Sequence, residues 1–286
     1  MTEHNHTSGE HAKKLIALQR EDGAWGHFHS LSQNSGAPVT TEQAIRRLER
    51  LGFTEKDAPI QKALSYMSDC LAGKKELPDR REKTHDWDLF TRTMLSAWIR
   101  RFTDADARAN EIALLWGKTV SFAYTDGHYD HEAYLAAYKE NFNAKPFGAR
   151  LVNFTAFYGV SLVSKTLDKR VEQAFFEDIL SRPTGIYYIY DKTLLSPPAD
   201  FQSKDASRYL GAVELMLEYE SSVCRTLLSP VAHWLKSNRG EDGLWDMGTN
   251  VKDNIYFPLS DSWRTVQYRK QDCTERIKRV YRMLTS

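Results

Sequence analysis

Two stretches gather the side chains that could do chemistry. His85-Asp86-Trp87-Asp88 opens an amphipathic segment, and Gly240 to Arg264 (GEDGLWDMGTNVKDNIYFPLSDSWR) sets Asp246, Asp261 and Arg264 among Trp245, Tyr256, Phe257 and Trp263. Two acids close together oppose each other's ionisation, so one keeps its proton and can act as a general acid. Asp86, Asp88, Asp246, Asp261 and Arg264 are therefore the candidate catalytic residues. Each also has a simpler reading, because a carboxylate or hydroxyl at a helix start caps the free N–H groups there. A third stretch, Tyr187-Tyr188-Ile189-Tyr190-Asp191, offers ring faces that can stabilise a cation or stack on a sugar. Tyr188, Tyr190 and Asp191, with Trp87, Trp98, Trp116, Phe157, Tyr158 and Trp263, form the candidate ligand-binding set. His4, His6, His11, His27 and His29 cluster without ordered ligand spacing, so no metal and no other cofactor is expected. Neither a phosphate-cradling glycine loop nor a nucleophile elbow occurs.

Composition narrows the partners. Across 286 residues, 39 Lys+Arg balance 38 Asp+Glu, and no net field draws the chain to nucleic acid. Three scattered cysteines, Cys70, Cys224 and Cys273, suit a reducing, cytoplasmic setting. The N-terminus lacks the pattern of a signal peptide, and no apolar run is long enough to span a bilayer. Aromatics make up 12% of the chain, which suits a ring-rich helical core or a ring-lined cavity that holds a small molecule.

Helical periodicity positions these groups. Segments at Ala12 to Gln19, from Thr40 to Gly52, from Asp57 to Gly73, and from Asp88 to Phe102 carry apolar residues at helical spacing. Thr40-Thr41-Glu42-Gln43 has capping-box spacing, and Asp104 is placed to cap the helix that runs to Tyr124. Further helices are expected at 130–142, 149–166, 168–181, 205–219, 222–238 with a kink at Pro230, and 265–284. Residues 149–166 are apolar nearly all round and should be buried. Only Ile186 to Tyr190 resembles a strand. About eleven helices give an all-α fold of about six helical hairpins, with residues 1–10 as a flexible lead and 11–286 as one domain.

The two ends of the chain echo each other: Asp22-Gly23-Ala24-Trp25 matches Asp242-Gly243-Leu244-Trp245. With Gln19, the first copy reads Q-x-x-D-G-x-W, which resembles the repeat of squalene and other terpenoid cyclases and their relatives, the protein prenyltransferase β subunits. The second copy has Arg239 in place of the glutamine. The resemblance implies an α/α toroid whose inner and outer rings of helices surround a cavity. In it the motif is a fold device: glycine permits a left-handed turn, aspartate caps, and the Trp ring staples neighbouring hairpins by stacking on the Gln amide, a place an arginine plane can also fill. The family's chemistry has poorer matches. Its D-x-D-D acid run is approached only by Asp86-Trp87-Asp88-Leu89, and its zinc ligands find only the adjacent Asp272-Cys273.

Three functions follow as expectations. A cavity for a hydrophobic or isoprenoid-like molecule, with acid catalysis through Asp86 or Asp88, would be dry and aromatic. A carbohydrate-binding or carbohydrate-cleaving barrel, using Tyr190, Asp191, Asp261 and Arg264, would present an open polar groove with exposed rings. A non-enzymatic scaffold would fill its centre with its own side chains.

Overall fold

A computed structural model describes residues 6–29, 37–83, 86–144 and 153–285. They form an all-α fold of twelve α-helices: α1 (Glu10–Ala17), α2 (Thr41–Arg50), α3 (Ala58–Leu71), α4 (Trp87–Phe102), α5 (Ala107–Phe122), α6 (His131–Phe142), α7 (Phe157–Val163), α8 (Glu172–Ser181), α9 (Lys204–Leu217), α10 (Ser222–Leu227), α11 (Ser229–Ser237) and α12 (Val266–Thr285). No helix among these residues is long and apolar enough to cross a membrane.

Local chemistry sets the boundaries. Thr40 and Gln43 close a reciprocal capping box on α2, and the chain leaves that helix through Gly52 at φ 96°. Asp86 caps α4 by accepting from the Leu89 N–H at 3.0 Å, and Asp130 caps α6. The cap of α5 is Asp106, not Asp104, because the chain stays extended through Asp106 before its carboxylate accepts from Ala109. Pro230 does more than kink its helix: the segment breaks at Leu228 into α10 and α11, since a proline ring excludes the carbonyl four residues back. Among the described residues the expected 149–166 helix is confined to the seven buried residues of α7, and its first four positions, 149–152, lie outside the described residues.

Tyrosines 187, 188 and 190 form a tight reversal rather than a strand. Ile186 pairs with Tyr190, Ala156 pairs with Tyr187, and the turn passes through Gly185 at φ 56° and Tyr188 at φ 75°. Two chain directions within five residues leave no length for a ladder.

Helix packing runs from one end of the chain to the other. α2 packs on α1 and α3, α3 on α4, α4 on α5 and α7, α7 on α9, α9 on α12, and α12 on α11. Links between the first and last segments complete the path: Arg47 donates to the Pro258 carbonyl, His6 meets Glu275 at 3.3 Å, and Arg50 of α2 meets Glu214 of α9 at 2.7 Å.

Both Asp-Gly-x-Trp turns are built alike. Gln19 donates to the Gly23 carbonyl at 2.9 Å, and Arg239 donates from Nε to the Gly243 carbonyl at 2.7 Å. Arg239 also lies 5.1 Å from the Trp245 ring, so arginine does replace glutamine beside the indole. Gln19 works through a second bond instead, to the Pro59 carbonyl at the start of α3.

Candidate functional site

One face of α2 organises the interior. Glu42, Arg46, Glu49 and Arg50 recur at helical spacing and therefore share a side of the helix, while Ala44, Ile45 and Leu48 bury the rest. Arg101 of α4 bridges Glu49 at 2.8 Å and Glu218 at 2.7 Å. Glu214, only 3% exposed, faces Arg50, Arg276 and Arg279. The Tyr256 ring packs against two of these guanidiniums, 4.9 Å from Arg50 and 4.7 Å from Arg276. Where a hydrophobic ligand would need apolar space, the centre holds paired charges. The gap between Arg46, Glu49, Arg101 and Phe157 measures about 10 Å³, room for a single water.

Toward the N-terminal end of α2 the network meets solvent. Glu42 accepts from Arg46 at 2.8 Å, from Trp98 Nε1 at 3.3 Å and from the Tyr158 hydroxyl at 2.9 Å. The His29 Nδ1 lies 3.3 Å from that hydroxyl and 3.6 Å from the Glu42 carboxylate, an ion pair too long to be a direct hydrogen bond. Asp79 fixes the histidine from behind by accepting from the backbone N–H groups of Phe28 at 2.6 Å and His29 at 2.9 Å. Phe90, Tyr158 and Tyr188 meet the imidazole edge-on.

These contacts set protonation. Burial opposes charge on His29, but the carboxylates of Glu42, Asp79 and Glu82 outweigh it and raise its pKa above 6.5. Burial likewise opposes charge on Glu42, yet His29, Arg46 and the Tyr158 hydroxyl hold its carboxyl below the ordinary value. For Tyr158, burial and the adjacent Glu42 push the phenol well up, so it serves as a donor and not as a base. The resulting relay runs from His29 through the Tyr158 hydroxyl to Glu42. His29 Nε2 has no hydrogen-bond partner among the described residues, and through it the imidazole can donate or take a proton at a ligand.

His29, Glu42 and Arg46 form one wall of a cleft of about 630 Å³ that Tyr188, Tyr256, Lys204, Arg208 and Lys252 complete. This volume suits a molecule of a few rings. Lys204, Arg208 and Lys252 are exposed, and none has an ion-pair partner among the described residues. The Asp253 carboxylate at the rim is occupied by the N–H groups of Ile255, Tyr256 and Phe257. Asp253 keeps its charge, but Lys204, Arg208 and Lys252 outnumber it, so the balance at the rim is positive.

The residues singled out by sequence are dispersed. Asp86 is a helix cap, and Asp88 is exposed and paired with Arg81 at 3.0 Å. His85, beside them, lies outside the described residues. Asp246 is bound by Arg269 at 2.6 and 2.7 Å and by the Gly248 N–H; the Arg269 bonds, against partial burial, hold its carboxyl below the usual range. Asp261 and Arg264 are exposed, and Asp261 borders a separate cleft beside Gly9 and Tyr268. Trp263 donates to Asp272 at 2.5 Å, and Trp116 donates to Thr93 inside the α4–α5–α6 packing. Trp87 packs on Phe90. Tyr190 is buried against Tyr209, while Asp191 is exposed. Of the whole set, Trp98, Phe157 and Tyr158 reach the network around Glu42 and Arg46, and Tyr188 lines the cleft. His29, Glu42 and Arg46 were missed. In the sequence Glu42 stands out only as part of the capping-box run, Arg46 carries no signal of its own, and His29 falls among the N-terminal histidines, although a histidine just after an Asp-Gly-x-Trp turn is held where the following helix begins.

Compared with known protein families, curated proteins and solved structures, the chain matches none of them.

Proposed function

We propose that the chain is a single α/α toroid whose open cleft binds an anionic, hydroxyl-bearing ring compound, an acidic sugar being the best fit, and that His29 transfers a proton to or from it. The toroid reading is supported by the helix-to-helix path from α1 to α12 and by the Arg47, Arg50 and His6 links between its ends. One observation carries the ligand reading: an imidazole with raised pKa, backed by Glu42 and Tyr158, stands in a cleft whose unpaired side chains are Lys204, Arg208 and Lys252. Tyr188, 43% exposed, offers the ring face on which a pyranose stacks. The paired charges at the centre count against the isoprenoid reading, because a prenyl tail would have to displace Arg46 and Arg101 from their carboxylates. Two of the three free thiols are buried, which is in keeping with a cytoplasmic setting.

The test is calorimetric titration with a uronate-containing oligosaccharide, its neutral counterpart and an isoprenyl diphosphate. Preference for the uronate, lost in Tyr188→Ala and in Lys204→Gln/Arg208→Gln, supports the proposal. Tighter binding of the isoprenyl diphosphate would restore the hydrophobic-ligand reading, and no binding of any of the three would favour a scaffold.

A further inference from the structure

At the opposite end of α2 a second cleft, of about 300 Å³, opens between Arg50, Leu51, Leu259, Arg276, Arg279 and Arg282. Its charge does not cancel. The acids in its wall have partners of their own: Glu49 is bridged by Arg101 and Glu275 meets His6. Among the described residues the carboxylate that these arginines pair with directly is Glu214, which faces Arg50 at 2.7 Å, Arg276 at 3.0 Å and Arg279 at 3.6 Å, while Glu49 acts on Arg50 and Arg279 from further away. One carboxylate shared by the guanidiniums of Arg50, Arg276 and Arg279 leaves their positive charge incompletely balanced.

The arrangement is also held in place. Arg276 is 4% exposed and is fixed by Ser207 as well as Glu214. Arg276, Arg279 and Arg282 recur every three residues on α12, so their side chains step from the buried face at Arg276 to the exposed side at Arg279 and Arg282. The Tyr256 ring lies 4.9 Å from the Arg50 guanidinium and 4.7 Å from that of Arg276, and both guanidiniums meet the same Glu214 oxygen. The buried Nε of Arg50 has no hydrogen-bond acceptor among the described residues. Several guanidiniums around a small opening match the several oxygens of a multivalent oxyanion, with the Arg50 Nε and the exposed Arg279 as the available donors.

We infer that this cleft is a binding site for a small multivalent oxyanion, a phosphoryl group or a compact polycarboxylate, separate from the His29 cleft. Inorganic phosphate and citrate are the two probes, titrated into the full chain at constant ionic strength and read by calorimetry and melting temperature. Binding of either, weakened roughly tenfold or more in Arg279→Gln/Arg282→Gln but retained in Lys204→Gln/Arg208→Gln, supports the site. Both arginines substituted are exposed, so the unliganded melting temperature of that variant stays near wild type. Phosphate favoured over citrate indicates a phosphoryl ligand, and the reverse a polycarboxylate. The inference is overturned if neither probe binds more tightly than chloride, or if binding survives Arg279→Gln/Arg282→Gln. Loss of binding in Lys204→Gln/Arg208→Gln alone would overturn it too, and would place the anion in the His29 cleft.

Discussion

Trp245 makes the same pair of hydrogen bonds as Trp25. Each indole nitrogen donates at 2.6 Å to a carbonyl in the preceding helix, Leu235 and Leu15 respectively, and each backbone N–H donates at 2.9 Å to a threonine hydroxyl, Thr274 and Thr41. The threonines belong to α12 and α2, so each turn ties a hairpin to the helix whose charged residues line the interior.

Removing either indole should therefore unfold the chain more readily without touching a binding group. Trp25→Ala and Trp245→Ala are each expected to cost about 3–5 kcal/mol, from lost burial and a stranded carbonyl. Denaturant midpoints measure this, and an effect below 1 kcal/mol at both sites would remove the stapling role.

The turn glycines should differ in sensitivity. Gly23 and Gly243 both have positive φ, which disfavours a side chain by about 1–2 kcal/mol. A Cβ on Gly23 would also meet the Lys62 backbone carbonyl at 2.3 Å, whereas on Gly243 it meets only the end of the Arg239 side chain at 3.0 Å. Gly23→Ala is expected to lower the melting temperature well beyond Gly243→Ala; equal losses would mean that the α3 backbone yields.

The His29 contact carries a pH signature. Its folded pKa lies above the unfolded value of 6.5, so its contribution to stability is complete below pH 6.5 and fades as pH rises through the folded value. Glu42 is shifted down, so its share is present above 4.5 and is lost only at lower pH. The stability gap between wild type and His29→Gln should thus be wider at pH 5.5 than at pH 9. A gap that is constant or widens with pH would show that the histidine is neutral in the fold.

Arg101 bridges two acids, and removing it strands both. Arg101→Met is expected to cost about 3 kcal/mol, moderated by the partial exposure of Glu49 and Glu218. Adding Glu49→Gln and Glu218→Gln to that variant should recover part of the loss. If the triple variant is no more stable than Arg101→Met, repulsion between the stranded acids is not the cause.

Asp88→Asn and Asp261→Ala should change stability by less than about 0.5 kcal/mol and leave uronate binding intact, because neither side chain reaches the His29 cleft. Asp246→Ala should cost about 1–2 kcal/mol through the two bonds to Arg269. Loss of binding in Asp261→Ala would return function to the Phe257 to Arg264 loop.

Much of the fold was legible, and the reason is physical. Caps and apolar periodicity act over a few residues, so Thr40, Asp86, Asp130 and the paired Asp-Gly-x-Trp turns locate themselves. What short spacing does not reveal is which charged face turns inward. The i,i+4 pattern of Glu42 and Arg46 is the same on a surface helix, and only the partners on α4, α9 and α12 make it interior. One signal was present: Glu214 stands alone in Leu210-Gly-Ala-Val-Glu-Leu-Met-Leu217, and a single carboxylate in so apolar a helix requires buried cations. The carboxylates near tryptophans attracted the functional reading because they are acids beside rings, yet Asp86 and Asp246 spend those oxygens on caps and loops.

Tyr256 borders both clefts and the small gap between them. Gly211 lies against its ring so closely that an added Cβ would come within 3.1 Å of it. Among the described residues the two clefts therefore lie back to back, with Tyr256 and a gap of about 10 Å³ between them. A molecule bound in one cleft would leave the mouth of the other unobstructed, and a change to Tyr256 is the one substitution that would reach both.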